Sequence, residues 1–482
     1  MRQGSAEQRS PCLHKQKTNK MKKLSFLILS ILVVELFSCG KTEEVTVSAP
    51  LLTIGKSVDN KVPISGSIKG TMKSDSTYTV NGDVFVNEKD TLLIQPGVKV
   101  LFTGNFNFVV KGTLLALGTQ AKQIYFTFKG TQKTDAIGAD PLKDPAYQGL
   151  WGGILGEIKS PLMVIKWTHV DFGSGKAAVS PVSFIANGSN TYPVAFSNPD
   201  GVFIFEDSWI YGAVDDPIRT FGGKMHVMRN TFEKCGFTGG EGLNIKSGCV
   251  GNVAYNVFIG TATNGPKASN NGGKNPQTNI YMYNNTMIAC GYRRASAGRG
   301  GSLNFEEGSK GVAYNNLMVN CKFGLRIVGS ANYSGNTLVI ADTANIKYGY
   351  NYTYVDSLSI ANQIYPIPYL TKPQSTDIPA PIFLSTTYKL GAVYDGSSVV
   401  GKNSPQFKNF PLPQTTKLLR DITTQGNWDF RLTTASPAAG RGFTGFTPLG
   451  GIPVSANYGA TEITLPNKDM GAYSLDGVGN KH

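Results

Sequence analysis

Two blocks of the chain concentrate side chains that could do chemistry. The first reads Val214-Asp215-Asp216-Pro217-Ile218-Arg219 and the second Gly240-Glu241-Gly242-Leu243-Asn244-Ile245-Lys246. Aligning DPIRTFGG, GEGLNIKSG, GGSLNFEEG and FGLRIVGS puts Arg219, Asn244, Asn304 and Arg326 in one column, beside the apolar Ile218, Leu243, Leu303 and Leu325. Side chains alternate along a strand, so a column next to core-facing residues points outward. Around it lie Asp215, Asp216, Glu241, Lys246, Glu306 and Glu307, with the basic loop Arg293, Arg294, Arg299 and the largest insertion, Thr261 to Thr278, nearby.

Two chemistries could use these residues. Eliminative cleavage of a uronic-acid polymer needs a cation to neutralise the sugar carboxylate and a Lys or Arg to remove the neighbouring proton, which makes Lys246, Arg219 and Arg326 the catalytic candidates. Glycoside hydrolysis needs carboxylates on both sides of the bond, and Asp215, Asp216 and Glu241 could supply them. Without catalysis, Asp215, Asp216, Glu241, Asn244, Asn304 and Arg293 could hold sugar hydroxyls. The structural alternative is that Asp215 and Asp216 close a corner, Lys246 and Glu241 are solvated, and the asparagines stack. His169 and His226 read as polar residues of the coil rather than bases, and His14 and His482 lie at the ends. No cofactor motif and no metal-ligand spacing is present. Calcium suits sugar chemistry, yet Asp135, Asp140 and Asp144 form no recognisable cage.

The elements that would position these residues are strands. No apolar pattern at helical spacing persists after Cys39, whereas period-two runs recur throughout, so an all-β body is expected. Aligning FEDSWIYG, VMRNTFEKC, VAYNVFIGT, YNNTMIAC and YNNLMVNC on Ser208, Asn230, Asn256, Asn285 and Asn316 brings Ile210, Phe232, Phe258, Met287 and Met318 into register two positions later. The steps of 22, 26, 29 and 31 residues are those of a solenoid whose coils share strands while one corner grows. Cys235, Cys290 and Cys321 each fall five residues after their asparagine, with Thr261 in the same slot. Stacked coils would form these into a Cys/Thr row beside an Asn ladder. A Cys290 to Cys321 disulfide is compatible with neighbouring coils, and spacing alone does not decide it.

Several segments resemble a known family. Gly82 to Phe128, with Pro96-Gly97 at a turn, is similar to the first coils of right-handed parallel β-helix, pectate-lyase-like bacterial surface proteins, and Trp151-Gly152-Gly153-Ile154 and Ile165 to Gly173 continue the pattern. Ser404-Pro405-Gln406-Phe407, Asp429-Phe430-Arg431-Leu432, Ala435-Ser436-Pro437-Ala438 and Asp469-Met470-Gly471-Ala472-Tyr473 resemble that family's closing segment. There Ser404 and Ser474 replace acids, so no metal or capping role carries over. Asp215-Asp216 with Asn244-Ile245-Lys246 faintly resembles polygalacturonase coils, but the Gly-His-Gly and Arg-Ile-Lys motifs are missing. The resemblance spans about residues 80 to 475 and implies fold more firmly than activity.

From Met21, MKKLSFLILSILVVELFSCGK has a basic start, an apolar run and Ser38 before Cys39, and it resembles a lipoprotein signal peptide with Cys39 the lipidated residue. Phe37 and Glu35 depart from the usual pattern. Residues 1–38 are expected to be an upstream extension plus signal, and 39–75 a tether. Removing 1–38 takes away seven of 46 bases and two of 32 acids, lowering the formal charge from +14 to +9. That excess suits an acidic polysaccharide better than nucleic acid, for which no basic-aromatic motif exists. The tyrosines at 348, 350, 352 and 354 alternate as if on one exposed face.

The expectation is a right-handed parallel β-helix of about ten coils over 76–341, with last coils, long loops and a cap over 342–482. Its expected setting is the outer membrane, surface-exposed, lipid-anchored and monomeric. Its expected role is to bind or cleave extracellular polysaccharide. The competing expectation is a structural or adhesive surface protein without a catalytic centre.

Overall fold

A computed structural model of the protein describes residues 51–134, 143–296, 299–329, 340–365, 374–379, 395–452 and 463–482. Cys39 and the signal-like run, with Asp135 and Asp140, lie outside them. Among the described residues no helix is long and apolar enough to cross a membrane.

The body is a parallel β-helix. One coil runs Gly223–Met228, Thr231–Cys235 and Leu243–Ile245, and the next runs Cys249–Ala254, Val257–Ile259 and Pro266–Ser269. Each strand pairs in parallel with its equivalent one coil on, as Thr231 with Val257 and Asn244 with Lys267. Among the described residues ten strands stack on the first face. The second and third faces form two further ladders, joined at the early strand Thr77–Val86, which serves both.

The corner between the first two faces has a repeated local cause. Asp207, Arg229, Tyr255, Asn284, Asn315 and Tyr350 all adopt left-handed backbone, with φ from 48° to 59°. This turns the next residue inward at a cost of about 1–2 kcal/mol each for L side chains. The residue turned in is Ser208 in the first of these coils and a ladder asparagine in the other five. Asn230 Nδ2 donates to Asn256 Oδ1 at 2.9 Å, Asn256 Nδ2 to Asn285 Oδ1 at 3.0 Å, Asn285 Nδ2 to Asn316 Oδ1 at 3.0 Å, and Asn316 Nδ2 to Asn351 Oδ1 at 3.0 Å. Each Oδ1 also accepts the backbone N–H of the preceding coil's asparagine, so the buried corner is satisfied and the strain offset.

The core rows follow the sequence registers. Ile210, Phe232, Phe258, Met287 and Met318 are successive partners, and the Phe232 and Phe258 rings stack at 4.6 Å. Cys235, Cys290 and Cys321 are buried free thiols with no disulfide among them. Cys290 and Cys321 Sγ each donate to a carbonyl of the preceding coil, at Phe258 and Met287, 3.5 Å away. The row is a hydrogen-bonding device.

Three expectations need correction. Strands begin at Ile64–Ser67 and Gly70–Met72, inside the segment taken as a tether, because Ile64 and Met72 already bury against the first coil. The four late tyrosines do not share an exposed face. The corner at Tyr350 intervenes, Tyr348 packs against the main core, and Tyr352 and Tyr354 are buried beneath a segment that includes Phe407 and Phe430.

The C-terminal region does more than cap the last edge. Residues 374–379 add to that edge, with Thr353 N donating to Ile378 O. The remainder turns back along the body. Asn315 Nδ2 binds Phe443 O at 2.8 Å, Asn252 Nδ2 binds Leu449 O at 2.9 Å, and Lys224 Nζ binds Gly451 O at 3.0 Å. The final residues return to the corner, where the His482 ring stacks on Trp209 at 3.6 Å, extending a row of rings through His169 to Tyr125.

Candidate functional site

The outward column exists, and it holds one residue more than the alignment gave. Along the third face the partners run Arg219, Asn244, Lys267, Asn304, Arg326. Lys267 sits on Pro266–Ser269, whose sequence PKAS lacks the leucine-asparagine pattern of its neighbours. The apolar flanks Ile218, Leu243, Leu303 and Leu325 face the core as expected.

Pointing outward does not mean reaching solvent. Asn244 is 5 % exposed, Lys267 4 %, Asn304 1 % and Arg326 2 %, so the column is largely roofed. Arg326 Nη1 donates to Gly300 O at 3.1 Å and Asn264 Oδ1 at 3.3 Å, which ties that candidate to the roof. Arg293 is turned to the neighbouring corner, where it donates to the carbonyls of Cys235, Gly236 and Gly260 and lies over the Tyr147 ring. It holds that corner together and does not line the recess.

What stays open is a recess of about 170 Å³ lined by Asp215, Asp216, Arg219, Glu241, Asn244, Thr263, Arg294 and Arg299, with Gly240 the remaining wall. Every side chain that lines it is polar. Asp216 is buried and accepts from Glu241 N at 2.8 Å and Asn244 Nδ2 at 2.6 Å, so it does more than close a turn. Arg219 Nη1 lies 3.4 Å from Asp216 Oδ2 and donates to Tyr192 Oη at 2.7 Å, with the Tyr192 and Phe221 rings against its guanidinium. Tyr192 belongs to a long connection whose Val182 and Ile185 cover the earlier, apolar part of the same column.

Beneath the recess, Lys267 Nζ bridges Glu241 Oε1 at 2.8 Å and Glu306 Oε1 at 3.2 Å, and Asn304 Nδ2 donates to Glu306 Oε2 at 2.7 Å. Glu241 is therefore a buried partner of Lys267 rather than a solvated neighbour of Lys246. Burial opposes ionisation of Glu306, but Lys267 and then Arg326 outweigh it and hold its carboxyl down to about 2. At Asp216 the Arg219 guanidinium, 3.4 Å away, and Lys267 do not outweigh the opposing effects. Burial first, then the charges of Asp215 and Glu241, push it up to about 7, and burial raises Asp215 as well.

Lys246 follows the column strand and is half-buried. Burial, then Lys267 and Arg219, lowers its pKa, and among the described residues no side chain or carbonyl hydrogen-bonds its ammonium. Among the described residues two further polar atoms there are buried without a partner, Asn244 Oδ1 and Arg219 Nε. Buried orphans are uncommon and mark places where a ligand can complete a hydrogen-bond set.

The structure thus gathers Asp215, Asp216, Arg219, Glu241 and Asn244 around one recess, leaves Lys246 near Arg219 and Lys267, and buries Asn304 and Arg326. Arg294 and Arg299 were read only as loop charges and prove to be walls. Among the described residues no three His, Cys, Asp or Glu side chains converge as metal ligands, and Asp144 Oδ2 is taken by the buried Lys234 at 2.6 Å. No protein-family model, curated protein or solved structure matches the chain.

Proposed function

We propose that the protein binds extracellular polysaccharide, with the recess at Arg219 and Asn244 receiving one sugar unit. The supporting observation is a recess in which carboxylates and guanidiniums alternate and no apolar wall intervenes. Carboxylates accept hydrogen bonds from sugar hydroxyls, guanidiniums donate to ring, hydroxyl or carboxylate oxygens, and Asn244 Oδ1 is an acceptor without a present partner. The cations Arg219, Arg294 and Arg299 favour a sugar bearing an acid. Titration of the full-length protein with a panel of acidic and neutral polysaccharides tests this, with Arg219→Met expected to abolish binding. Absence of binding across the panel would leave a scaffold or adhesive role.

A second reading, cleavage of that polymer, draws on Lys246. An amine with a lowered pKa beside Arg219 could take the proton next to a sugar carboxylate. The electron pair would form the new carbon–carbon double bond as the glycosidic oxygen leaves. Ultraviolet absorbance from unsaturated products reports this step. Its loss in Lys246→Ala with an unchanged melting temperature is the expected result, and unchanged turnover removes Lys246 from the role.

The same proposal places the chain at the outer membrane through a lipid on Cys39, consistent with the sequence Leu36-Phe37-Ser38-Cys39. Metabolic labelling with palmitate should mark the wild type and not Cys39→Ala.

A further inference from the structure

Away from the recess, the ribbon formed by Phe407–Asn409 and Asp429–Leu432 lies beside the terminal residues 473–482, leaving a groove of about 370 Å³. Phe407 and Leu432 pair and turn into the body, so Lys408 and Arg431 project from the other side of the ribbon. Both line the groove, and Lys481 enters from the terminal segment. Two carboxylates lie near. Asp429 takes the Nε and Nη2 edge of Arg431, and Glu233 accepts Gln425 N. Three cations against these two carboxylates leave the groove with a net positive charge.

A second, independent observation is Tyr473. It lines the groove and is 4 % exposed, yet its hydroxyl has no hydrogen-bond partner among the described residues. A buried hydroxyl without a partner is a net cost to the fold, so its retention calls for a reason. Phenylalanine would fill the same volume without that cost.

The geometry points to a second binding site in this groove, one that takes an oxyanionic group, either a sugar carboxylate or a phosphate. Lys408, Lys481 and the free edge of Arg431 supply charge, and Tyr473 Oη, unpartnered in the groove wall, supplies a hydrogen-bond donor. The site shares no residue with the recess, so either can fail without the other.

Calorimetric titration of the full-length protein with digalacturonate and with inorganic phosphate at low salt tests it. Saturable binding of either probe is expected, weakened about tenfold or more by Tyr473→Phe and by Lys408→Met, since a hydrogen bond to a charged group carries at least that factor. The titrations are made on the Arg219→Met protein, whose recess is expected not to bind, so that saturation there and its loss in the added groove variants report the groove alone. A response to digalacturonate alone identifies a uronate ligand, and a response to phosphate alone a phosphorylated one. Without ligand, Tyr473→Phe should melt no lower than the wild type. The proposal is overturned if neither probe binds, if binding survives both groove variants, or if Tyr473→Phe lowers the melting temperature by several degrees.

Discussion

Lys267 is the residue on which the recess stands, and its replacement by methionine should be costly. Lys267→Met keeps most of the side-chain volume but strands Glu241 and Glu306, 7 % and 8 % exposed, without the ammonium they share. Removing one partner of a buried ion pair costs about 3–5 kcal/mol. Glu306 keeps the Asn304 amide, so the lower end, about 3 kcal/mol, is expected. In the wild type, the depressed Glu306 stabilises the fold above its unfolded pKa of about 4.5, and this is lost as pH falls towards about 2. In the variant both carboxyls would titrate above the ordinary range, so the deficit should be largest at pH 7 and shrink towards pH 4. Solenoids unfold coil by coil, so amide exchange in Pro266–Ser269 and its neighbours is a better measure than a single midpoint. The triple variant Lys267→Met, Glu241→Gln, Glu306→Gln should be more stable than Lys267→Met alone. A deficit under 0.5 kcal/mol, or one that does not change with pH, would refute the reasoning.

The Asn ladder offers a sharper local test. Asn285→Ala removes the acceptor of Asn256 N and Nδ2 and should cost about 3 kcal/mol, read as lost amide protection at Asn256 with distant coils unaffected. Gly260 has φ 53°, and a Cβ there would stand 1.9 Å from Ile422 O. Gly260→Ala should therefore detach that segment, costing about 2 kcal/mol or more, with proteolysis between 403 and 430 accelerated. Burial lowers His169 to about 2, His226 to about 4 and His482 to about 3, so the unfolded chain takes these protons first. Stability from the histidines is present above about pH 6.5 and is lost as pH falls below it. Asp216, raised to about 7, Asp377, raised to about 6, and Asp171 and Asp215, raised by burial, act in the opposite sense over the same range. The histidine contribution is therefore read by difference: between pH 7 and pH 5 the wild type should lose more melting temperature than a His169→Gln, His226→Gln variant, and parallel profiles would count against these burials.

The ladder, the thiol row and the inward stack from Ile210 to Met318 were legible in the sequence because each requires the same residue type at the same point of every coil. An amide whose only buried partner is its counterpart one coil away leaves a spacing that no local structure imitates. The direction of Arg219 and Asn244 was legible for a similar reason, since strand alternation sets which side faces the core. Lys267 escaped because variable loops shift its distance from Thr261, and PKAS carries no pattern of its own.

Exposure was not legible at all. Whether an outward side chain meets water depends on what is laid over it, and here the cover comes from the loop around Arg294 and Arg299, from Tyr192, and, on the other faces, from a terminal segment up to 251 residues away in sequence, as in the Thr231 contact with His482. Alternation and repeat length fix the coil and its register through short-range geometry. The return of the C-terminal region, the open remnant at Asp216 and the basic groove at Tyr473 depend on long-range packing of irregular segments, whose sequence has no period to read.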